Sequence, residues 1–213
     1  MKAAITSVLV SLAFLFLLAG CFPGNRAPYK IDFYTLDYPP PVLRGAPLDQ
    51  VVRMNRFSVA QVYNSTAMVY KPEEYKLAVY QYHKWRVTPG DLVTDYLARD
   101  FRSSGFFKAV FTGRQREGAR FEVEGAVEEF LESREADGWK AVLALEVALL
   151  DRSEPSVDAR VVFQRRYKAE EPLADQAPAA FARGMSACLA RVSSEVIGGV
   201  AAAIAERSPG PSR

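Results

Sequence analysis

Hydrophobic and polar positions along this chain change period several times, and each change marks an element. From Tyr29 to Tyr38 side chains alternate, with Ile31, Phe33 and Thr35 on one side and Asp32, Tyr34 and Leu36 on the other, which predicts a strand. Pro39-Pro40-Pro41 ends it, because prolines supply no ladder donors. Val51–Val59 is a second strand candidate, and Ala67–Tyr70 with Tyr75–Val87 predicts a hairpin around Lys71-Pro72-Glu73-Glu74. The period then becomes helical. Thr88 can cap, Pro89 suits the first helical position and Asp91 sits where a capping box wants a carboxylate. Val93, Leu97 and Phe101 follow at steps of four, and Gly105 after Ser103-Ser104 closes a helix over 89–104. Phe106–Thr112 reads as a short strand, followed by longer ones at Arg120–Glu132, Trp139–Asp151 and Val157–Lys168, joined by turn-forming residues. Within the first of these, Phe121, Val123, Gly125 and Val127 make a dry face, and Arg120, Glu122 and Glu124 a wet one. Over Asp175–Arg207 an apolar stripe through Phe181, Met185, Leu189, Val192, Val196, Val200 and Ile204 predicts a second helix. The order strands, helix, strands, helix predicts an α+β domain over 29–207: a mostly antiparallel β-sheet with two α-helices packed on one face.

The first 28 residues do not fit that domain. Lys2 is the only charge before Arg26, and the run from Ala3 to Ala19 is apolar apart from Thr6, Ser7 and Ser11. It ends in Leu18-Ala19-Gly20-Cys21, so residues 1–20 read as a secretory signal and the stretch resembles a bacterial lipobox, in which the Cys is acylated and becomes the new N-terminus. Cys21 is therefore the expected lipid attachment site, and several acyl chains on it meet the requirement for stable anchoring. An ordinary transmembrane anchor is the competing reading of the same run. Residues 21–28 form a tether and 208–213 a disordered tail. Phe22 in place of an Asp after the Cys favours the outer membrane, with the domain facing the periplasm.

Composition narrows the chemistry. The 213 residues carry 27 Lys+Arg against 25 Asp+Glu, which argues against nucleic acid held by bulk positive charge. One His and two Cys exclude a multi-ligand His/Cys zinc site. With Cys21 acylated, Cys188 has no intramolecular partner, so no disulfide is expected; it sits on the apolar stripe as a buried thiol. Gly113 to Gly118 contains no P-loop Lys-Ser/Thr pair. Glu122, Glu124, Glu128, Glu129 and Glu132 read as a solvated strand face without Ca²⁺-loop spacing. His83 lacks a nearby nucleophile motif, so no catalytic residue, metal or cofactor is expected. In a regular strand it shares a face with Gln81 and Trp85, opposite Tyr80, Tyr82 and Lys84. The mixed polarity of Tyr80, Tyr82, His83 and Trp85 makes them the candidate partner-binding residues.

An ordered set of short stretches then carries a resemblance. Asp32–Asp37, Arg56–Val59, Met68–Tyr70, Tyr80–Trp85, Leu92–Leu97 through Ser104–Phe107, Val123–Gly125 and Trp139–Leu150 resemble the ABC-type transport auxiliary lipoprotein family, whose members include a paraquat-inducible-type lipoprotein. The resemblance implies a non-enzymatic docking component, lipid-anchored at the outer membrane. Its implied partners are an MCE-domain substrate-binding protein with an ABC permease and ATPase, in a system moving lipids between bacterial membranes. Only Cys21 carries over as a functional position. A pilotin- or assembly-type outer-membrane lipoprotein and a periplasmic hydrolase are the alternatives these residues leave open.

Overall fold

A computed structural model describes residues 29–113 and 118–207. The signal segment, Cys21, the tether 21–28 and the tail 208–213 of the sequence reading lie outside the described residues. The unit that begins at Ile31 carries every described element. Its strands are β1 (Asp32–Tyr34), β2 (Leu48–Met54), β3 (Ser58–Val59), β4 (Ala67–Glu73), β5 (Lys76–Trp85), β6 (Phe107–Thr112), β7 (Phe121–Glu135), β8 (Gly138–Asp151) and β9 (Val161–Pro172). Its α-helices are α1 (Pro89–Ser103), α2 (Val157–Arg160) and α3 (Pro178–Arg207), with a 3₁₀ turn at Gln61–Tyr63.

The nine strands among the described residues join one curled sheet, and its pairing corrects the expectation of a mostly antiparallel one. β7 is the axis. Along one edge it pairs in parallel with β2 near Phe121–Val123, with β3 at Ala126–Val127 and with β4 at Glu132–Ser133. Its other edge meets β8 antiparallel along nearly its whole length, and β8 meets β9 likewise. β1 lies parallel to β5, and β6 parallel to β2. Alternation reports which face a residue takes, not the direction of its neighbour, so the five parallel pairings had no signature in the pattern. The third helix was also unforeseen. One exposed turn occupies 157–160, where the pattern predicts the start of a strand; Arg160 turns back there, donating from Nε to the Glu154 carbonyl at 2.8 Å.

The two long helices behave as the spacing predicts. Thr88 caps α1, accepting from the Asp91 amide at 3.4 Å while its hydroxyl donates to the Asp91 carboxylate at 2.7 Å. Gly105 takes φ +72° just past the helix end. α1 packs against β6 and β7 and α3 against β8 and β9, and Val123, Val127, Leu143, Leu145 and Val147 of β7 and β8 are fully buried. Phe181 of α3 seals the middle against Trp85, and Trp85 against Phe130, each pair at 5.2 Å between ring centroids. Cys188 lies buried on α3, 3.6 Å from the Ala141 carbonyl, and burial pushes its thiol up to about 12, so it stays protonated. By length and composition α3 could cross a membrane; here it is a core helix whose stripe faces the sheet.

The helices also share a polar joint. Asp100 of α1 is fully buried, and its Oδ2 accepts from Tyr38 Oη at 2.8 Å and from Ser193 Oγ of α3 at 2.7 Å. Arg99 donates to its Oδ1 at 2.9 Å, and the guanidinium lies 4.5 Å over each of the Tyr38 and Tyr96 rings. This joint ties the segment after β1, α1 and α3 together. At the other end of the β7–β8 ladder Arg120 grips Asp151 with two nitrogens. Those hydrogen bonds hold the buried carboxyl down at about 2 and fix the register in which Phe121 faces Asp151.

Candidate functional site

The four candidate partner-binding residues fall on β5, and a bulge redistributes them. Ala67 faces Lys84 whereas Val69 faces Val79, so two steps along β4 correspond to five along β5. Regular alternation is lost between Val79 and Lys84. Tyr80 and His83, predicted on opposite faces, come into edge-to-face contact at 6.1 Å. His83 Nδ1 lies 3.2 Å from Tyr34 Oη and 3.9 Å from the Asp32 carboxylate, which fastens β1 to β5. Tyr80 continues into Tyr70 at 5.0 Å, and Tyr70 into Trp139 at 6.3 Å. Tyr82 is half-buried. Trp85 is a correction: it is fully buried between Phe130 and Phe181, and offers nothing to a partner in this fold.

Beneath the aromatic row lies Glu132. The acidic run does not form one solvated face, because β7 also carries an irregularity between Val127 and Glu129. That shift turns Glu132 to the side of Phe130 and buries it completely, while Glu128 and Glu129 stay outside and pair with Arg166 at 2.6 and 2.8 Å. Tyr80 Oη donates to Glu132 Oε2 at 2.6 Å; Oε1 is buried with no hydrogen-bond partner. Burial pushes the carboxyl up to about 7, opposed by the Tyr80 hydrogen bond and assisted by the negative charge of Asp175. The folded protein therefore holds a proton that the unfolded chain has released near pH 4.5. Stability from this group is greatest below that pH and falls as pH rises toward 7. We expect the loss to reach about 3 kcal/mol. Glu132→Gln should remove this slope, so urea midpoints of the variant at pH 5 and pH 8 should differ less than those of the parent.

A second polar cluster lies on the sheet face away from the helices. Arg53 and Glu122 are register partners on β2 and β7, and Arg152 follows the end of β8. Glu122, nearly buried, receives Arg53 Nη1 at 3.1 Å, and Arg152 through Nε at 2.8 Å and Nη2 at 2.7 Å. These side chains, with Asn55, Arg56 and Gly113, line a cleft of about 520 Å³. Among the described residues no group of three or more His, Cys, Asp and Glu is placed to hold a metal ion.

Fold and surface together describe an α/β module with a polar-faced, curled sheet and a helix-covered core. The chain belongs to the family of ABC-type transport auxiliary lipoprotein components, whose model matches residues 34–197. That membership makes it an auxiliary component of an ABC transport system, of a membrane-anchored lipoprotein kind. No curated protein matches the sequence significantly. Among solved structures, protein XCC0632 from Xanthomonas campestris, of the DUF330 family, superposes with a TM-score of 0.74 at 22% identity, over 82% of this chain and 97% of that one. The hypothetical protein CT253 from Chlamydia trachomatis superposes with a TM-score of 0.54 at 13% identity, over 75% and 99%. At these identities both speak for the fold alone.

Proposed function

We propose that this chain is a lipid-anchored, periplasm-facing docking module of an MCE-type ABC system that moves lipids between bacterial membranes, and that it performs no chemistry of its own. The observation that carries the reading is the family match over 34–197 in a chain whose Leu18-Ala19-Gly20-Cys21 has the form of a lipid attachment signal. Attachment at Cys21 holds the domain in a thin layer beside the outer membrane and raises its effective concentration for an MCE-domain partner. The outer edge of β5 supports a docking role. β1 pairs only with His83–Trp85, so Lys76–Gln81 have no strand partner on that side among the described residues. Leu77 and Val79 are exposed there, at 43% and 54%, and an extended segment of the partner can add to such an edge.

Two measurements test this. Mass spectrometry of the membrane-bound protein should find Cys21 at the N-terminus and carrying acyl chains; an unmodified thiol at position 21 overturns the anchor. The purified full chain should capture an MCE-domain protein of the same organism, and Val79→Lys should lose that capture without a change in melting temperature. Components that never associate, with or without lipid, overturn the docking role.

A further inference from the structure

We propose that the cleft lined by Arg53, Arg56 and Arg152 binds a phosphate group carried as an ester, at a site separate from the β5 edge. Among the described residues three guanidinium groups face one carboxylate, Glu122, in the lining. The carboxylate that pairs with Arg56, Asp91 at 2.7 Å from its Nε, is not part of that lining. The cleft therefore holds an excess of positive charge on a protein whose total charge is close to balanced. Convergence of two arginines on one buried carboxylate is costly to build, because like charges are drawn together for a single counter-charge. It leaves donors over. A guanidinium has five N–H groups; Arg53 spends Nη1 and Arg152 spends Nε and Nη2 on Glu122, and Arg56 spends Nε on Asp91, so each keeps N–H groups that these pairings do not use. A tetrahedral anion supplies several acceptor oxygens to such a fork, which is the geometry arginine recognises best.

Space favours an ester over the free ion. About 520 Å³ is far more than one phosphate fills, and Asn55 and Arg56 also line an adjoining cleft of about 400 Å³. Ala126, Ala148, Leu150 and Val161 give that second cleft an apolar side, while Glu124 and Glu146 make it unsuitable for the anion itself. The phosphate is thus placed at the arginine end and the organic part of the ester along the sheet. The inference does not depend on the docking reading, since it uses only side chains of the folded domain.

Calorimetric titration of the full chain in zwitterionic detergent tests it, with glycerol 3-phosphate and inorganic phosphate against chloride at equal ionic strength. A parallel arm compares nanodiscs of a phosphate-free neutral glycolipid with discs that also contain phosphatidylglycerol. Saturable binding of glycerol 3-phosphate identifies a soluble ester as sufficient; binding to phosphatidylglycerol discs alone identifies a lipid headgroup as the source. In either case Arg152→Gln should weaken binding about tenfold or more. Arg56→Gln, which leaves the Glu122 pairings intact, should weaken it in the same direction should the first variant fail to fold. Glu122→Gln should tighten binding, because the competing internal anion is gone; a merely structural trio would show no such gain. Absence of saturable binding in both arms, tighter binding of inorganic phosphate than of the ester, or affinities indifferent to Arg152 and Arg56 would overturn the assignment. Failure of MCE capture would leave these outcomes unaffected.

Discussion

Replacing Asp100 by alanine should lower the unfolding free energy by about 3–5 kcal/mol, the range expected when one partner of a buried charged pair is removed. The carboxylate has no exposed surface and serves three donors on separate elements: Tyr38 after β1, Arg99 on α1 and Ser193 on α3. Its loss leaves two buried hydroxyls without an acceptor and a guanidinium without its counter-charge, above the two aromatic rings it covers. Asp100→Asn keeps the shape and one acceptor oxygen, so it should fall between the parent and the alanine variant. Urea denaturation of the three proteins at pH 7 checks the order. A midpoint for Asp100→Ala within error of the parent would show that the joint contributes nothing.

Trp85→Ala should cost a similar amount, about 3–5 kcal/mol, by a different route. Here the loss is packing: the indole fills the space between Phe130 and Phe181 and has no exposed surface. Truncation opens a cavity where α3 meets the sheet, and the rings on either side cannot close it without moving both elements. Trp85→Phe should be much milder. It retains most of the apolar volume and removes the indole N–H, which is buried without a hydrogen-bond partner. Equal midpoints for the Ala and Phe variants would mean that the site collapses freely and the aromatic seal has been overrated.

The elements most legible in the sequence were those announced by local chemistry. Thr88, Pro89, Asp91 and Gly105 bracket α1 almost to the residue, and the stripe of α3 needed only its spacing. The partners of the strands were hidden, because β2 and β4 meet β7 across long stretches of intervening chain. The candidate site was half visible. Tyr80, Tyr82 and His83 stand out by composition, but the bulge that joins Tyr80 to His83 arises from pairing with β4 and has no turn residue to mark it. Two buried carboxylates did leave signals. Asp100 falls on the apolar stripe, three residues after Leu97 and beside Phe101. Glu132 keeps step with Phe130 once the dry face changes phase after Val127. A charge in register with a hydrophobic row is readable as a buried charge. The Arg53–Glu122–Arg152 cluster was not readable, since its members meet only when β2, β7 and the end of β8 are assembled.

Because β2, β3 and β4 all lean on β7, the first third of the domain has nothing to complete it until residues 121–135 exist and arrive. Within that third, among the described residues, only the β4–β5 hairpin can zip from neighbouring residues. Assembly must wait for a distant segment, so this architecture is a slow folder by topology. A chain cut short of β7 keeps the residues of the hairpin and loses the scaffold on which β2 and β3 are hung.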